Sequence, residues 1–96
     1  LRNLLRLKPG VKVRIDHPMA PQPIFLAMQK LGKISNKEMY QIFNMGMGFT
    51  LVAPKASAEP AVSLLARHGL QAQVVGRIAR GSGVVQAKHK LSYDRY

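Results

Sequence analysis

Hydrophobic and charged residues alternate strictly over the stretch VKVRID at positions 11–16. Successive side chains of a strand point to opposite faces, so this period of two predicts a strand with one buried face. Three later apolar stretches also predict strands: FTLVA at 49–53, QAQVVGRI at 71–78 and the end of ARGSGVVQ at 79–86. The ARGSG sequence between the last two is typical of a hairpin turn, or of a loop that presents backbone amides to a phosphate.

Apolar residues at helical spacing predict two helices between the first and second strands. The first covers about residues 24–31, and Gly32 after it is the expected stop signal. Its apolar positions are Ile24, Ala27, Met28 and Leu31. The second begins at a capping box, in which Ser35 precedes Glu38 by three residues, and continues to about Phe43. Three apolar positions share one face of this helix: Met39, Ile42 and Phe43.

A third helix is predicted before the strand at 71–78. Ser57 is expected to cap its beginning and Gly69 to end it. His68 lies where an imidazole complements the last carbonyl groups of a helix. The apolar positions expected to face inward are Ala61, Val62, Leu64, Leu65 and Ala66.

The predicted order of elements is β-α-α-β-α-β-β. This order indicates an α+β fold, an α/β sandwich in which helices pack on one face of a mixed four-stranded sheet. We expect residues 1–86 to form one domain and the polar residues 87–96 to form a frayed tail. Leucines in the stretch LRNLLRLKPG at 1–10 indicate a short helix or a docked arm.

The stretch QIFNMGMGF at 41–49 contains two glycines one residue apart, Gly46 and Gly48. Each glycine weakens a helix or strand by about 0.5–1 kcal/mol relative to alanine, so the pair needs an explanation. One interpretation is a helix end and a tight turn into the next strand. The other is a place where the backbone approaches a ligand, such as a phosphate.

Charge adds information that the hydrophobic pattern lacks. The 96 residues carry 15 Lys and Arg against 4 Asp and Glu, a formal net charge of +11. Such an excess favours either a polyanion-binding patch or a generally basic surface, and the sequence leaves both open. The chain has no cysteine, which excludes disulfides, thiol nucleophiles and thiolate-bound zinc. No apolar run is long enough to span a membrane, so we expect a cytoplasmic protein.

Candidate catalytic groups are sparse. The four acids lie far apart in sequence, at Asp16, Glu38, Glu59 and Asp94. Two of them fall in the first turns of predicted helices, where the helix dipole explains them. The three histidines have no metal-ligand spacing. We therefore assign no catalytic residue and no metal ligand to this chain.

Several stretches resemble the phosphoribosylformylglycinamidine cyclo-ligases, or aminoimidazole ribonucleotide synthetases. The most specific is EMYQIFNMGMGFTLVAP at 38–54, which resembles the family's Phe-Asn-Met-Gly signature and the strand after it. NLLRLKPG at 3–10 and VRID at 13–16 resemble a turn and strand of the same family. PIFLAMQKLGKIS at 23–35 and LLARHGLQAQVVGRIARGSGVV at 64–85 resemble its later helices and strands. The resemblance covers part of the family's C-terminal domain, whose His-Ile-Thr-Gly-Gly-Gly segment would lie just before Leu1.

The resemblance implies part of an ATP-dependent ligase of purine biosynthesis, converting formylglycinamidine ribonucleotide to aminoimidazole ribonucleotide. It implies ATP and Mg²⁺ as cofactors, with the metal ligands on an N-terminal ATP-binding domain outside these residues. The full-length enzyme would be a homodimer that binds a phosphorylated ribonucleotide, and the 96-residue chain alone would be inactive. Residues HPMAPQP at 17–23 depart from the family, which often has Ser-Trp there.

Carried over to this sequence, the resemblance points to Asn44, Gly46 and Gly48 as substrate- or phosphate-binding positions. Their main chain would approach the cleft near the ribose phosphate. Asp16 and Arg6 are weaker candidates, because a strand end or a surface position explains each charge equally well.

Two alternatives follow from the same residues. The charge favours a small nucleic-acid-binding module, although its phenylalanines lie in apolar runs and its last two tyrosines in the polar tail, which disfavours base stacking. The motif also resembles relatives in the same ATP-dependent superfamily, such as formylglycinamidine synthetase, selenophosphate synthetase and hydrogenase maturation factors.

Overall fold

A computed structural model describes residues 1–7 and 9–94 of the chain. Within them lie one 3₁₀ helix, three α-helices and four strands. In chain order they are the 3₁₀ helix Arg2–Arg6, β1 Val11–Ile15, α1 Pro23–Gly32, α2 Asn36–Ile42, α3 Lys55–Arg67, β2 Gly76–Arg80, β3 Val84–Gln86 and β4 Leu91–Tyr93. The predicted α+β class is confirmed, and so is the short N-terminal helix.

The four strands form one sheet in the order β2-β1-β3-β4. Strand β1 lies at its centre, antiparallel to β2 and parallel to β3, so that Val13 lies opposite Ile78 on one side and Val84 on the other. Strands β3 and β4 are antiparallel. The sheet is therefore mixed, as the sequence predicts.

Residues 81–83 connect β2 to β3 across the beginning of β1. The amide of Gly81 donates to the carbonyl of Gly10 at 3.2 Å, and the amide of Val13 donates to that of Gly83 at 3.0 Å. Because β1 lies between the two strands, they do not pair with each other. The prediction of a hairpin turn at ARGSG is wrong.

The predicted strand at 49–53 is absent, and this stretch runs from α2 to α3 outside the sheet. Three of its side chains are exposed: Phe49 by 85%, Leu51 by 64% and Val52 by 58%. An apolar run becomes a buried strand only where a neighbouring strand and a packing layer are available, and here neither covers it.

The fourth strand comes instead from residues that the sequence assigns to a frayed tail. In β4, Leu91 and Tyr93 are buried and Ser92 is exposed. The expectation of fraying is wrong at these three positions, because the alternation of two apolar residues about a serine is too short to stand out. Arg95 and Tyr96 lie outside the described residues. The boundary between residues 1–86 and 87–96 stays a prediction.

Helix α1 begins with Pro23 at its first position and ends at Gly32. The left-handed residue that closes it is Lys33, with φ of 53°, so the helix ends one residue later than predicted. Its apolar stripe is largely open to solvent: Ile24 is 63% exposed and Leu31 is 86% exposed. Only Phe25 among its apolar residues packs against the core.

Helix α2 has the predicted cap, since the Oγ of Ser35 accepts a hydrogen bond from the amide of Glu38 at 3.3 Å. The helix buries Met39 and Tyr40. Of the three apolar positions predicted to share one face, Met39 is buried, whereas Ile42 is exposed. The helix ends at Ile42, and the ring of Phe43 lies 5.5 Å from that of Phe25.

Helix α3 begins at Lys55 without a side-chain cap. The amide of Ser57 donates to the carbonyl of Pro54 at 2.9 Å, so Ser57 lies in the first turn and the predicted cap is wrong. The predicted end is confirmed, because Gly69 has φ of 77° and Nδ1 of His68 lies 3.0 Å from the carbonyl oxygen of Leu64. None of its side chains is fully buried: Ala61, Val62 and Leu65 are partly covered, whereas Leu64 and Ala66 are exposed.

The core lies between one face of the sheet, α2 and the segment after α2. Its buried apolar residues are Val13, Ile15, Met39, Tyr40, Met45, Val84, Leu91 and Tyr93. Burying a side chain of this size stabilises a fold by about 1.5–3 kcal/mol. Among the described residues, no helix is both long and apolar enough to cross a bilayer.

Candidate functional site

The candidate site is built on the segment that follows α2. The chain leaves the helix at Phe43, which is extended and whose amide still donates to the carbonyl of Met39 at 2.9 Å. Two residues later the side chain of Met45 is buried in the core. This anchor fixes the backbone of residues 44–50 on the surface beside α2.

Gly46 is required by a close approach of two backbone segments. Its φ is 81°, and a Cβ added there would lie 2.4 Å from the carbonyl oxygen of Met19. Its amide donates to Oε1 of Gln22 at 3.0 Å. The glycine therefore joins this segment to the residues before α1, and its amide already has a partner within the chain.

Gly48 has a different environment. A Cβ added there would meet no atom within 4 Å, and its φ lies outside the left-handed region. The fold of this chain does not require glycine at this position. A Cβ at position 48 would therefore be accommodated without a clash.

A cavity of about 240 Å³ lies between the N-terminal 3₁₀ helix and residues 44–50. Its polar lining residues are Asn3, Arg6, Tyr40, Asn44 and Thr50. Main-chain atoms of Gly48 and apolar side chains, including Phe49, complete the wall. The arrangement offers amide, hydroxyl and guanidinium groups to a small polar ligand.

The cavity brings together three of the five predicted site residues. Arg6, Asn44 and Gly48 line it, and Gly46 does not. Asp16 is not part of the cavity lining and lies just after β1, where its carboxylate is 3.9 Å from the guanidinium of Arg14.

Sequence reasoning missed three polar residues of the cavity wall, Asn3, Tyr40 and Thr50. Asn3 and Arg6 are three residues apart, and a 3₁₀ helix places such residues directly above one another. That spacing in RNLLR was the available signal. No sequence pattern pointed to Thr50, because the apolar stretch around it predicts a buried strand.

Gln86 in β3 is a buried polar residue beside the core, and it lies near His89 and Tyr40 of α2. Gln86 is fully buried, and its Oε1 lies 2.6 Å from Nδ1 of His89, which is the donor in this arrangement. The ring of His89 lies 5.3 Å from that of Tyr40. Among the described residues, Oη of Tyr40 and Nε2 of Gln86 have no hydrogen-bond partner.

Burial shifts the pKa values of the two tyrosines in the core, Tyr40 and Tyr93. Burial raises the pKa of Tyr40, and the nearby Gln86 side chain partly offsets the rise. Burial likewise raises the pKa of Tyr93, whose hydroxyl donates to the carbonyl of Lys37 at 2.8 Å. Both hydroxyls therefore favour the neutral form, and the hydroxyl of Tyr93 joins β4 to α2 through its hydrogen bond to Lys37.

Metal ligands are not gathered in the part of the chain that the structure describes. No group of three or more His, Cys, Asp or Glu side chains there could hold a metal ion.

Comparison with known proteins identifies the family. The family model for the AIR synthase related protein, C-terminal domain, matches residues 1–88. Similar curated proteins carry the name phosphoribosylformylglycinamidine cyclo-ligase. The one from Methanopyrus kandleri is 40% identical over 85 residues, which are 88% of this chain and 24% of the relative.

Two further relatives extend the match towards the end of the chain. The Bacillus subtilis cyclo-ligase is 36% identical over 94 residues, covering 96% of this chain and 27% of the relative. The Thermoplasma volcanium protein of the same name is 35% identical over 95 residues, covering 99% of this chain and 28% of the relative. The chain thus spans about a quarter of the length of these curated relatives. It belongs to the family of AIR synthase related protein C-terminal domains.

Proposed function

We propose that residues 1–86 form the C-terminal domain of a phosphoribosylformylglycinamidine cyclo-ligase, a cytoplasmic ligase of de novo purine biosynthesis. The observation that carries this proposal is the family match over residues 1–88 together with relatives of that name. The full-length enzyme is a homodimer, and its N-terminal ATP-binding domain is the partner of this one.

The proposed reaction uses ATP to make a poor leaving group into a good one. The formyl amide oxygen of formylglycinamidine ribonucleotide attacks the γ-phosphate of ATP and releases ADP. The amidine nitrogen then attacks the activated carbon, the carbon–oxygen bond breaks and phosphate leaves. The products are aminoimidazole ribonucleotide, ADP and phosphate. Catalysis of such a transfer depends mainly on positioning and on neutralising charge.

The proposed contribution of this chain is to hold the phosphorylated ribonucleotide. Arg6, Asn44 and the backbone of Gly48 line one cavity, and they supply a cation and hydrogen-bonding groups suited to a phosphate or ribose. Gly46 acts indirectly, by letting the segment approach Met19 and Gln22 closely. Asp16 lies outside the cavity lining, and we assign it no role.

The residues described here do not fit a Mg²⁺ site, because they offer no cluster of acidic or histidine ligands. Mg²⁺ prefers carboxylate oxygens together with substrate phosphates. In this proposal the N-terminal domain binds the metal and the ATP.

The test is a chimera in which residues 1–96 replace the matching segment of the Bacillus subtilis relative. We expect the chimera to form aminoimidazole ribonucleotide only when ATP is present, and the 96-residue chain to form none. Asn44→Ala should raise the KM for the ribonucleotide about tenfold, the effect of losing one hydrogen bond to a charged group. Gln71→Ala is the control, because Gln71 is exposed and outside the cavity.

The proposal would be rejected by a folded chimera that binds ATP and yields no product, while the parental enzyme remains active under the same conditions. Turnover by the 96-residue chain alone would overturn only the expectation that the isolated chain is inactive.

A further inference from the structure

Residues 17–22, which connect β1 to α1, contact the segment that follows α2. A Cβ added at Gly46 would clash with the carbonyl oxygens of Met19 and Ala20, so the two backbones touch directly at this point. None of residues 17–22 lines the cavity. The connection therefore supports the cavity segment without forming part of the cavity wall.

Gln22 makes the side-chain contact between the two segments. Its Oε1 accepts a hydrogen bond from the amide of Gly46 at 3.0 Å. Its own carbonyl accepts from the amides of Phe25 at 3.1 Å and Leu26 at 3.4 Å, in the first turn of α1. The helix therefore fixes the backbone of Gln22, and the side chain holds Gly46 from that fixed position.

The connection is also anchored at its other end. The amides of Asp16 and His17 both donate to the carbonyl of Val75 at 2.9 Å. Nε2 of Gln73 donates to the carbonyl of His17 at 2.9 Å. Two prolines inside the connection restrict its backbone further, because the ring of proline fixes φ. A stretch held at both ends in this way is a stiff support for Gly46.

Gly46 lies at the centre of the cavity segment. Asn44 and Gly48, which line the cavity, are two residues before it and two residues after it. Met45 is buried and anchors the segment to the core, whereas the hydrogen bond to Gln22 anchors it to the connection. A displacement of residue 46 would therefore move the lining residues on both sides of it.

We propose that Gln22 is a positioning residue for the cavity. Its hydrogen bond to the amide of Gly46 sets the spacing of Asn44 and Gly48, and thereby the affinity for the phosphorylated ribonucleotide. This inference rests on the proposed function, because that function supplies the ligand. Gln22 is exposed and outside the cavity lining, so it acts through the main chain of Gly46 and not by touching the ligand.

The experiment measures kcat and the KM for the ribonucleotide in the chimera described above. Gln22→Met keeps the length of the side chain and removes the acceptor. It should raise the KM about fivefold, the effect of losing one ordinary hydrogen bond. It should leave kcat within about twofold, because the cost of ordering the segment is met when the ligand binds.

Two further variants show whether the acceptor is the cause. Gln22→Glu keeps an acceptor oxygen at the same distance from the backbone, and should return the KM to within about twofold of the parent. Gln71→Met is the matched control, because Gln71 is exposed and outside the cavity. It should leave both kinetic constants within about twofold of the parent.

Hydrogen exchange in the 96-residue chain measures the contact itself. The Gly46 amide should exchange at least about threefold faster in Gln22→Met than in the parent, because it loses its acceptor. In Gln22→Glu it should exchange at the parental rate. The amide of Phe43, which donates to the carbonyl of Met39, is the internal reference and should not change.

Three results would overturn the proposal. One is an active chimera in which Gln22→Met leaves the KM unchanged. Another is a raised KM that Gln22→Glu fails to restore, because the acceptor would then not be the cause. The third is an unchanged exchange rate of the Gly46 amide in Gln22→Met.

These outcomes are separable from the failure of the proposed function. A folded chimera of parental sequence that forms no product would reject the proposed function, and ribose 5-phosphate then serves as the probe for Gln22. Its dissociation constant from the 96-residue chain, measured from the amide shifts of Asn44 and Gly48, should be about fivefold higher in Gln22→Met. Equal dissociation constants, or no binding by the parental chain, would overturn the proposal.

Discussion

Helix α1 is richer in apolar residues than α2, yet α2 is the helix that is buried. Helix α2 has a side-chain cap and buries Met39 and Tyr40 against the sheet, whereas α1 exposes Ile24 and Leu31. The difference shows that amphipathic sequence alone does not decide burial. A helix is buried where a second layer is present, and the sheet provides that layer for α2 but not for the apolar stripe of α1.

The largest expected effect sharpens this contrast directly. Met39→Ala removes a fully buried side chain from the core and should lower the free energy of unfolding by about 3 kcal/mol. Leu31→Ala is the comparison variant on α1. It should change the free energy of unfolding by less than about 0.5 kcal/mol, because Leu31 is exposed. Urea denaturation of the 96-residue chain measures both. Equal losses would show that α1 is packed as tightly as α2.

The two glycines after α2 provide the next comparison. Gly46→Ala forces a Cβ against the carbonyl of Met19 at a left-handed φ, and should cost about 2 kcal/mol or more. Gly48→Ala meets no atom within 4 Å and should be neutral or slightly stabilising. Thermal unfolding of the two variants measures both changes in stability. A large loss of stability in Gly48→Ala would contradict the backbone geometry described for this segment.

The N-terminal caps of α2 and α3 provide a third comparison, with smaller expected changes in stability. Ser35→Ala removes the acceptor of the Glu38 amide and should cost about 1 kcal/mol. Ser57→Ala removes no cap, because Ser57 lies inside the first turn of α3, and should cost less than about 0.5 kcal/mol. A reversed order of the two losses in denaturant titrations would mean that α3 begins at Ser57.

The smallest effect concerns pH and the core face of the sheet. Burial raises the pKa values of Tyr40 and Tyr93, so the folded state favours their neutral forms. Their contribution to stability is fully present below their ordinary pKa of about 10 and is lost as the pH rises through the higher folded values. Denaturant titrations between pH 8 and pH 11 should show a decline in the free energy of unfolding. The decline should be smaller in the double variant that carries Tyr40→Phe and Tyr93→Phe. An unchanged decline would assign it to other groups.

The elements that could be predicted from sequence are those whose signal is local. The alternation at 11–16 and the Ser35–Glu38 cap each depend on neighbouring residues, and the structure has β1 and α2 at those places. The end of α3 is equally local, because Gly69 and His68 act within one turn.

The errors lie where distant residues decide. The sequence predicts a strand at 49–53 and a frayed tail after residue 86, whereas the structure has its fourth strand at 91–93. A strand needs a partner, and β3 pairs with residues 91–93. The turn at 81–83 was misassigned since no local pattern shows that β1 separates β2 from β3. The cavity joins Asn3 to Thr50, which lie far apart in sequence, and only the packing of the 3₁₀ helix brings them together.

Growth of a purine-requiring strain that lacks its own cyclo-ligase tests the central claim most directly. The chimera carrying residues 1–96 should restore growth without added purine, and the 96-residue chain alone should not. A folded, expressed chimera that fails to restore growth, in a strain that the parental enzyme rescues, would contradict the claim that this chain is a cyclo-ligase domain.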